Sequence, residues 1–295
     1  MTSWRILAAA GVIIVAAAAP AVAQAPADTK AAQASSTTKT SWSDLPDRFQ
    51  VDAGFFYVNL ATKLTFQGTI GPADEVSFEK DLGVSDVAST YWLDTTLRLG
   101  RRHQFKLSYV SVTRDGDPRI LTRDFIWNDE VYTAGLSASG SLGTDVLSAY
   151  YRVAVIKRDR FEIGPALGLG YLKLNARIAA QGSLTKPGGQ IEAVSLDESG
   201  SLGVPTGDIG GFFNAWLSKR VVMRGDFLYI FVKPGEWEAS VTDWRIGVDF
   251  YPWRHVGIGT QYKYNYFRYQ QPVSEMNVSG EVKYKGLQVY ASFLF

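Results

Sequence analysis

From Phe49 onward, aromatic and β-branched residues alternate with polar ones in runs of ten or more, separated by clusters of Gly, Pro, Asp and Ser. In the run from Tyr91 to Leu99, the odd positions are Tyr, Leu, Thr, Leu and Leu, and the even ones are Trp, Asp, Thr and Arg. Side chains alternate across a β-strand, so one face is greasy and the other charged. Leu147, Ala149, Tyr151, Val153 and Val155 oppose Ser148, Tyr150, Arg152 and Ala154 in the same way. Trp244, Ile246, Val248 and Phe250 likewise oppose Arg245, Gly247 and Asp249. The pattern predicts strands at about 49–67, 88–100, 103–114, 146–156, 161–178, 206–218, 221–231, 239–251, 255–270 and 285–295. Phase changes at Val58 to Leu60 and at Tyr171 to Leu172 suggest bulges.

Such alternation suits a soluble barrel with its greasy face inward, or a membrane barrel with that face toward lipid. Three features select the membrane barrel. The strands reach the roughly 9–11 residues that cross a bilayer at a tilt. Tight connections around Gly100–His103, Lys157–Arg160, Ser218–Arg220 and Pro252–His255 alternate with long ones at about 68–87, 114–145, 179–205, 232–238 and 271–284. Aromatic residues crowd the strand ends (Phe66, Tyr91, Tyr171, Phe231, Trp237, Tyr266, Phe267 and Tyr269), as in interfacial girdles. The expected fold is all-β, a transmembrane up-and-down antiparallel β-barrel of ten strands. Eight and twelve strands remain alternatives, because segments 119–126 and 131–142 could form a hairpin or add two strands.

Ahead of the barrel, Arg5, the apolar run Ile6 to Ala23 and the Ala21-Val22-Ala23 site have the pattern of a cleaved secretory signal. The expected organisation is a signal peptide at 1–23, a flexible tail at 24–47 on the periplasmic side, and the barrel at 48–295. Lys plus Arg number 30 against 29 for Asp plus Glu, so no basic surplus exists for nucleic acid. With no Cys there is no disulfide, thiol nucleophile or lipid-acceptor residue.

The last stretch, Gly286 to Phe295, alternates to its end and finishes in Phe. Here the chain resembles bacterial outer-membrane proteins, and looks like the small barrels of the OmpA, OmpX and OmpW kind. That resemblance implies that Val289, Ala291, Phe293 and Phe295 are read by the barrel-assembly machinery. It also implies partners in outer-membrane lipid and lipopolysaccharide, with a monomer as the expected state. No peptidoglycan-binding domain is expected after the last strand.

The inward set holds Asp52, Asp94, Glu162, Asp226 and Asp249 with Arg98, Lys106, Arg152, Arg224, Arg245 and Lys263. In a narrow barrel these charges must pair, since an unpaired buried charge costs several kcal/mol. Inward Tyr150, Trp216, Tyr251 and Tyr290 add bulk. A filled polar core with a structural or surface-interaction role is the first expectation. A narrow channel for small or hydrophobic solutes is the second, and a lipid-modifying enzyme at the rim the third. No catalytic residue is expected: the two His, His103 and His255, fall in tight turns, and neither G-x-S-x-G nor S-x-x-K stands in a suitable place. Gly168-Leu169-Gly170 reads as inward packing and Asn277-Val278-Ser279 as an ordinary loop. No cofactor or metal is expected. The acid-rich loops around Asp74 to Asp86 and Glu192 to Glu198 read as solvated surface, with a cation bridge to lipopolysaccharide phosphate as the alternative.

Overall fold

The computed structural model describes residues 45–68, 74–122, 124–127, 130–185, 191–232, 238–273 and 276–295. The expected signal peptide and most of the expected tail lie outside these residues, as do Trp237 and the side chains of Phe66 and Phe231. Ten strands of 12 to 26 residues build the wall. They are β1 (Phe49–Gly68), β2 (Val87–Leu99), β3 (His103–Asp115), β4 (Ser137–Val153) and β5 (Phe161–Thr185). The second half is β6 (Ile191–Trp216), β7 (Val221–Val232), β8 (Glu238–Phe250), β9 (Val256–Val273) and β10 (Met276–Leu294). Each pairs antiparallel with its sequence neighbours, and β1 closes on β10. Within the belt closure leaves no free edge, while the part of β6 above Ile209 pairs with β5 alone.

Outward positions between the two ends are greasy. Phe55, Tyr91, Leu93, Leu107, Leu167, Leu169, Ile258 and Val289 are all exposed. At the upper limit of this belt stand Tyr57, Tyr91, Tyr109, Tyr171, Tyr229 and Tyr262, all exposed. The lower limit carries Phe49, Phe105, Phe295 and the turn residue Trp253. A greasy band between two aromatic girdles is the outer surface of a transmembrane barrel.

Above the upper girdle the polarity inverts. Val58 and Leu60 are buried inside while Asn59 and Ala61 are exposed outside. The same switch puts Tyr171 out and Leu172 in. No bulge accompanies either change: β1 runs in unbroken register from Gln50 opposite Leu294 to Gly68 opposite Met276, and β5 from Phe161 opposite Ala215 to Thr185 opposite Ile191. The pattern shifts because the outer solvent changes from lipid to water, not because the backbone slips.

For the same reason the long connections expected at 179–205 and 271–284 are largely wall. Those residues continue β5, β6, β9 and β10 above the belt, and Asn277 to Ser279 lie in β10. Residues 137–145, expected in a loop, begin β4, and the 125–127 and 130–132 segments form a separate hairpin rather than wall strands. Phe267 is buried inside, and Tyr269 packs against the same inner cluster, so neither belongs to a girdle.

The seam between β1 and β10 is tight. A Cβ on Gly54 would lie 2.1 Å from the Val289 carbonyl oxygen, and one on Gly286 would lie 2.0 Å from that of Tyr57. Gly286→Ala is therefore expected to destabilise the closed barrel by about 1–3 kcal/mol. Denaturant titration in lipid vesicles checks it, and an unchanged midpoint would show that the seam can spread freely.

Candidate functional site

The lumen is the candidate site, because it decides whether anything passes through the wall. At the end where the connections are short, β5 turns Glu162 inward, wholly buried. Arg98 on β2 grips it with two parallel bonds, Nη1 to Oε2 at 3.0 Å and Nη2 to Oε1 at 2.8 Å. Gln104 donates a further bond at 3.0 Å, and Asn214 adds another. Beside this cluster, Arg224 on β7 meets Asp249 on β8 at 2.7 Å and lies 4.0 Å from Asp52 on β1. The Tyr251 hydroxyl accepts from Arg224 at 2.7 Å and bonds Ser292 at 3.0 Å, while the Tyr290 hydroxyl donates to Asp249. Leu45, Trp216, Val222 and Leu294 pack around Tyr251.

The next layer crosses the lumen. Asp94 on β2 accepts from Lys106 on β3 at 2.6 Å and from Arg245 on β8 at 2.8 Å. Arg245 also binds Asp226 on β7, which pairs with Arg152 on β4 at 2.7 Å. Strands β2 and β8 lie far apart around the wall, so these bonds are struts. Every member is buried, which makes each charge dependent on its partners. Asp243, Lys263 and Asn265 continue the layer, with Nζ to carboxylate at 3.2 Å and amide to carboxylate at 2.9 Å. Gln261 donates to Gln288 at 2.7 Å. Tyr150 fills the space that Gly168 leaves: a Cβ there would lie 2.7 Å from the ring. The carboxylate Oδ1 of Asp208 and the Tyr284 hydroxyl are buried without a protein partner, so this layer can hold buried water.

Higher up the lumen turns apolar. Phe56, Val58, Leu60, Trp92, Val110, Val112 and Tyr284 form one cluster, and Leu172, Val241, Phe267 and Val282 another. Beyond them the β1–β2 connection folds into the mouth. Val76, Phe78, Leu82 and Val84 pack on Leu121, Leu136, Leu142 and Ile178, which lie on or beside β4 and β5. Glu79 fastens this plug: it accepts from Arg114 on β3 at 2.7 Å and from the Thr62 backbone N–H on β1 at 2.9 Å. The acid-rich stretch is thus divided: Glu75, Lys80 and Asp86 are exposed, as open surface would be, while Asp74–Ser77 pairs with β1 and the apolar residues from Val76 to Val84 form an inserted plug. The plug's signal in the sequence was the apolar set interleaved with the acids.

The positions singled out from the sequence fall as follows. Asp52, Asp94, Arg98, Arg152, Glu162, Arg224, Asp226, Arg245 and Asp249 all face the axis, divided between two layers. Asp243, Gln104, Gln261 and Asn265 belong to the same layers, and the inward parity of their strands is the sequence signal that marks them. Val289, Phe293 and Phe295 are exposed on the outer face. Ala291 is half-buried, and its strand seals the seam: the Phe295 N–H donates to the Phe49 carbonyl at 2.8 Å. His103 bonds the Tyr151 hydroxyl at 2.6 Å, and His255 the Leu294 carbonyl at 2.8 Å. Both stand at the short-turn end. Among the described residues, no group of three or more His, Cys, Asp or Glu is placed to hold a metal.

No protein-family model matches the chain, and no curated protein matches it. Solved structures do. The outer membrane protease OmpT from Escherichia coli superposes with a TM-score of 0.52 at 10% identity, covering 86% of this chain and 100% of that one. This chain has the fold of a bacterial outer-membrane β-barrel. Lower scores link the barrel to the translocator domain of the autotransporter NalP from Neisseria meningitidis (0.44, 12% identity, 84% of this chain and 89% of that one). The toluene transporter TodX of Pseudomonas putida gives 0.34 at 9% identity, over 85% of this chain and 90% of that one. Identities this low speak to the fold of the barrel and leave its chemistry to its own residues.

Proposed function

We propose that the protein spans the outer membrane as a closed barrel with a structural or surface-interaction role, and that nothing flows through it. The observation that carries this reading is the strut from Asp94 through Arg245 to Asp226 and Arg152, which ties opposite walls across the lumen. Small barrels are filled by side chains rather than left as pores, and here apolar clusters and the plug stand above the strut. The reading is non-enzymatic. Three rim carboxylates are engaged with cations: Glu75 with Lys63 at 2.7 Å, Glu79 with Arg114, and Asp197 with Arg177. The Arg177 guanidinium, bonded to Asp197, holds that carboxyl below its ordinary range. What remains for the outside is a tall β5–β6 hairpin whose outward face carries polar and charged side chains such as Arg177, Gln181 and Ser199.

Planar-bilayer recording of the purified full-length protein is expected to show no steady conductance. A stable open level in the wild type would overturn the closed-barrel reading. Altered lipid A or phospholipid profiles in cells carrying the protein would overturn the non-enzymatic one.

A further inference from the structure

The short-turn end carries a basic pocket that no strut uses. The β2–β3 turn supplies Arg101 and Arg102, β3 opens with His103, and the β4–β5 turn supplies Lys157; together they line a pocket of about 260 Å³. Backbone pairing sets the two turns side by side, with the Ala154 N–H donating to the Arg102 carbonyl at 2.8 Å. Arg101 and Arg102 are exposed, and among the described residues neither guanidinium has a carboxylate partner. Lys157 reaches Asp47 and Glu162 only at 3.7 Å each. Burial, and then the neighbouring Arg98, hold its ammonium below the usual lysine range against the pull of those two carboxylates. Most of this rim has the same sign: Arg158, Arg220 and Arg254 stand in the short turns, whose single acid is Asp159, and the exposed Asp47 before β1 is taken up by Arg98 and Lys157.

A greasy path leads from the pocket into the belt. The His103 ring stacks on Tyr151 with centroids 5.9 Å apart, and Tyr151 lies 4.9 Å from Phe105, which is exposed to lipid. Val155 and Ile156, in the turn that carries Lys157, are also exposed. Cations at the head of a lipid-facing aromatic track match a phosphate with acyl chains attached, and free phosphate would have no use for the track.

We propose that this pocket binds the phosphate headgroup of an anionic phospholipid in the leaflet at the short-turn end, its acyl chains lying along Tyr151 and Phe105. The proposal rests on the transmembrane reading above. It adds that the barrel selects lipid at one end by charge.

The test uses full-length protein. Wild type and Arg101→Gln/Arg102→Gln are first floated with phosphatidylcholine vesicles. Failure of the wild type to float would sink the transmembrane reading itself. Native mass spectrometry in detergent then titrates each protein with phosphatidylglycerol or phosphatidylcholine of matched chains. The wild type is expected to favour phosphatidylglycerol about tenfold or more, the double variant to lose that preference, and millimolar inorganic phosphate to leave it intact. Floating proteins that bind both lipids equally, a variant with the wild-type preference, or displacement by inorganic phosphate would each overturn the lipid site while leaving the barrel reading in place. The substituted side chains make no strut, so heat-modifiable gel mobility is expected to match in the two proteins.

Discussion

Asp226→Asn is expected to destabilise the folded barrel by about 3–5 kcal/mol, the largest effect of any single isosteric change in the lumen. Asp226 binds Arg152 and Arg245 directly and lies 4.0 Å from Lys106. Neutralising it strips Arg152 of the carboxylate it binds and leaves Lys106 and Arg245 on Asp94. The amide has the carboxylate's shape, so no cavity confuses the result, and the cost is that of cations stripped of a counter-ion. Removing one of the surplus cations should recover part of the loss: Asp226→Asn with Arg152→Met is expected to be more stable than Asp226→Asn alone. Equilibrium unfolding in lipid vesicles, followed by tryptophan fluorescence, measures both, and the double-mutant cycle isolates the coupling. A single variant within about 0.5 kcal/mol of wild type would mean that water, not Asp226, balances those cations.

How the strut was encoded shows what a strand pattern conveys and what it cannot. That Asp94, Asp226 and Arg245 point away from lipid follows from period two within each strand. That Arg245 reaches both aspartates does not, since its partners lie on β2 and β7 and their meeting depends on closure, tilt and side-chain length. The belt was legible because lipid demands greasy outward residues, as at Tyr91, Leu93 and Leu97. Above the girdles that demand ends. Arg177, Gln181 and Asp197 face water there while Leu172, Ile178 and Ala180 face in, so the chain lost its lipid signature at the height where the wall went on. Read with the lipid rule, tall strands became loops. The plug was hidden by a similar confusion: Asp81 and Glu79 suggested solvated surface, yet Phe78 and Leu82 beside them are wholly buried.

That plug sets the second large effect. Phe78→Ala with Leu82→Ala is expected to release the β1–β2 connection from the mouth, because truncating a buried Phe costs about 3–5 kcal/mol and a buried Leu about 2–5. What then holds the Phe78–Val84 segment is Glu79 bonded to Arg114 and the Thr62 N–H, with backbone bonds from Phe78 to Thr62 and from Gly140 to Leu82, and the Asp74–Ser77 pairing on β1 just before it. A hydrogen bond to a charged group contributes only about 1.5–3 kcal/mol. The open population should rise enough for externally added protease to cut this connection at least about a hundredfold faster, with the wall itself still resistant. Wild-type cleavage rates in the double variant would mean that the apolar contacts do not hold the plug. Bilayer recording of the same variant separates lid from barrier. Barriers in series pass no current while any one holds, and the Asp94, Arg245 and Asp226 strut lies below the plug, untouched. The unplugged barrel is therefore expected to stay silent, and a steady conductance from it would make the plug the gate and the charged layer a sieve through which ions already move.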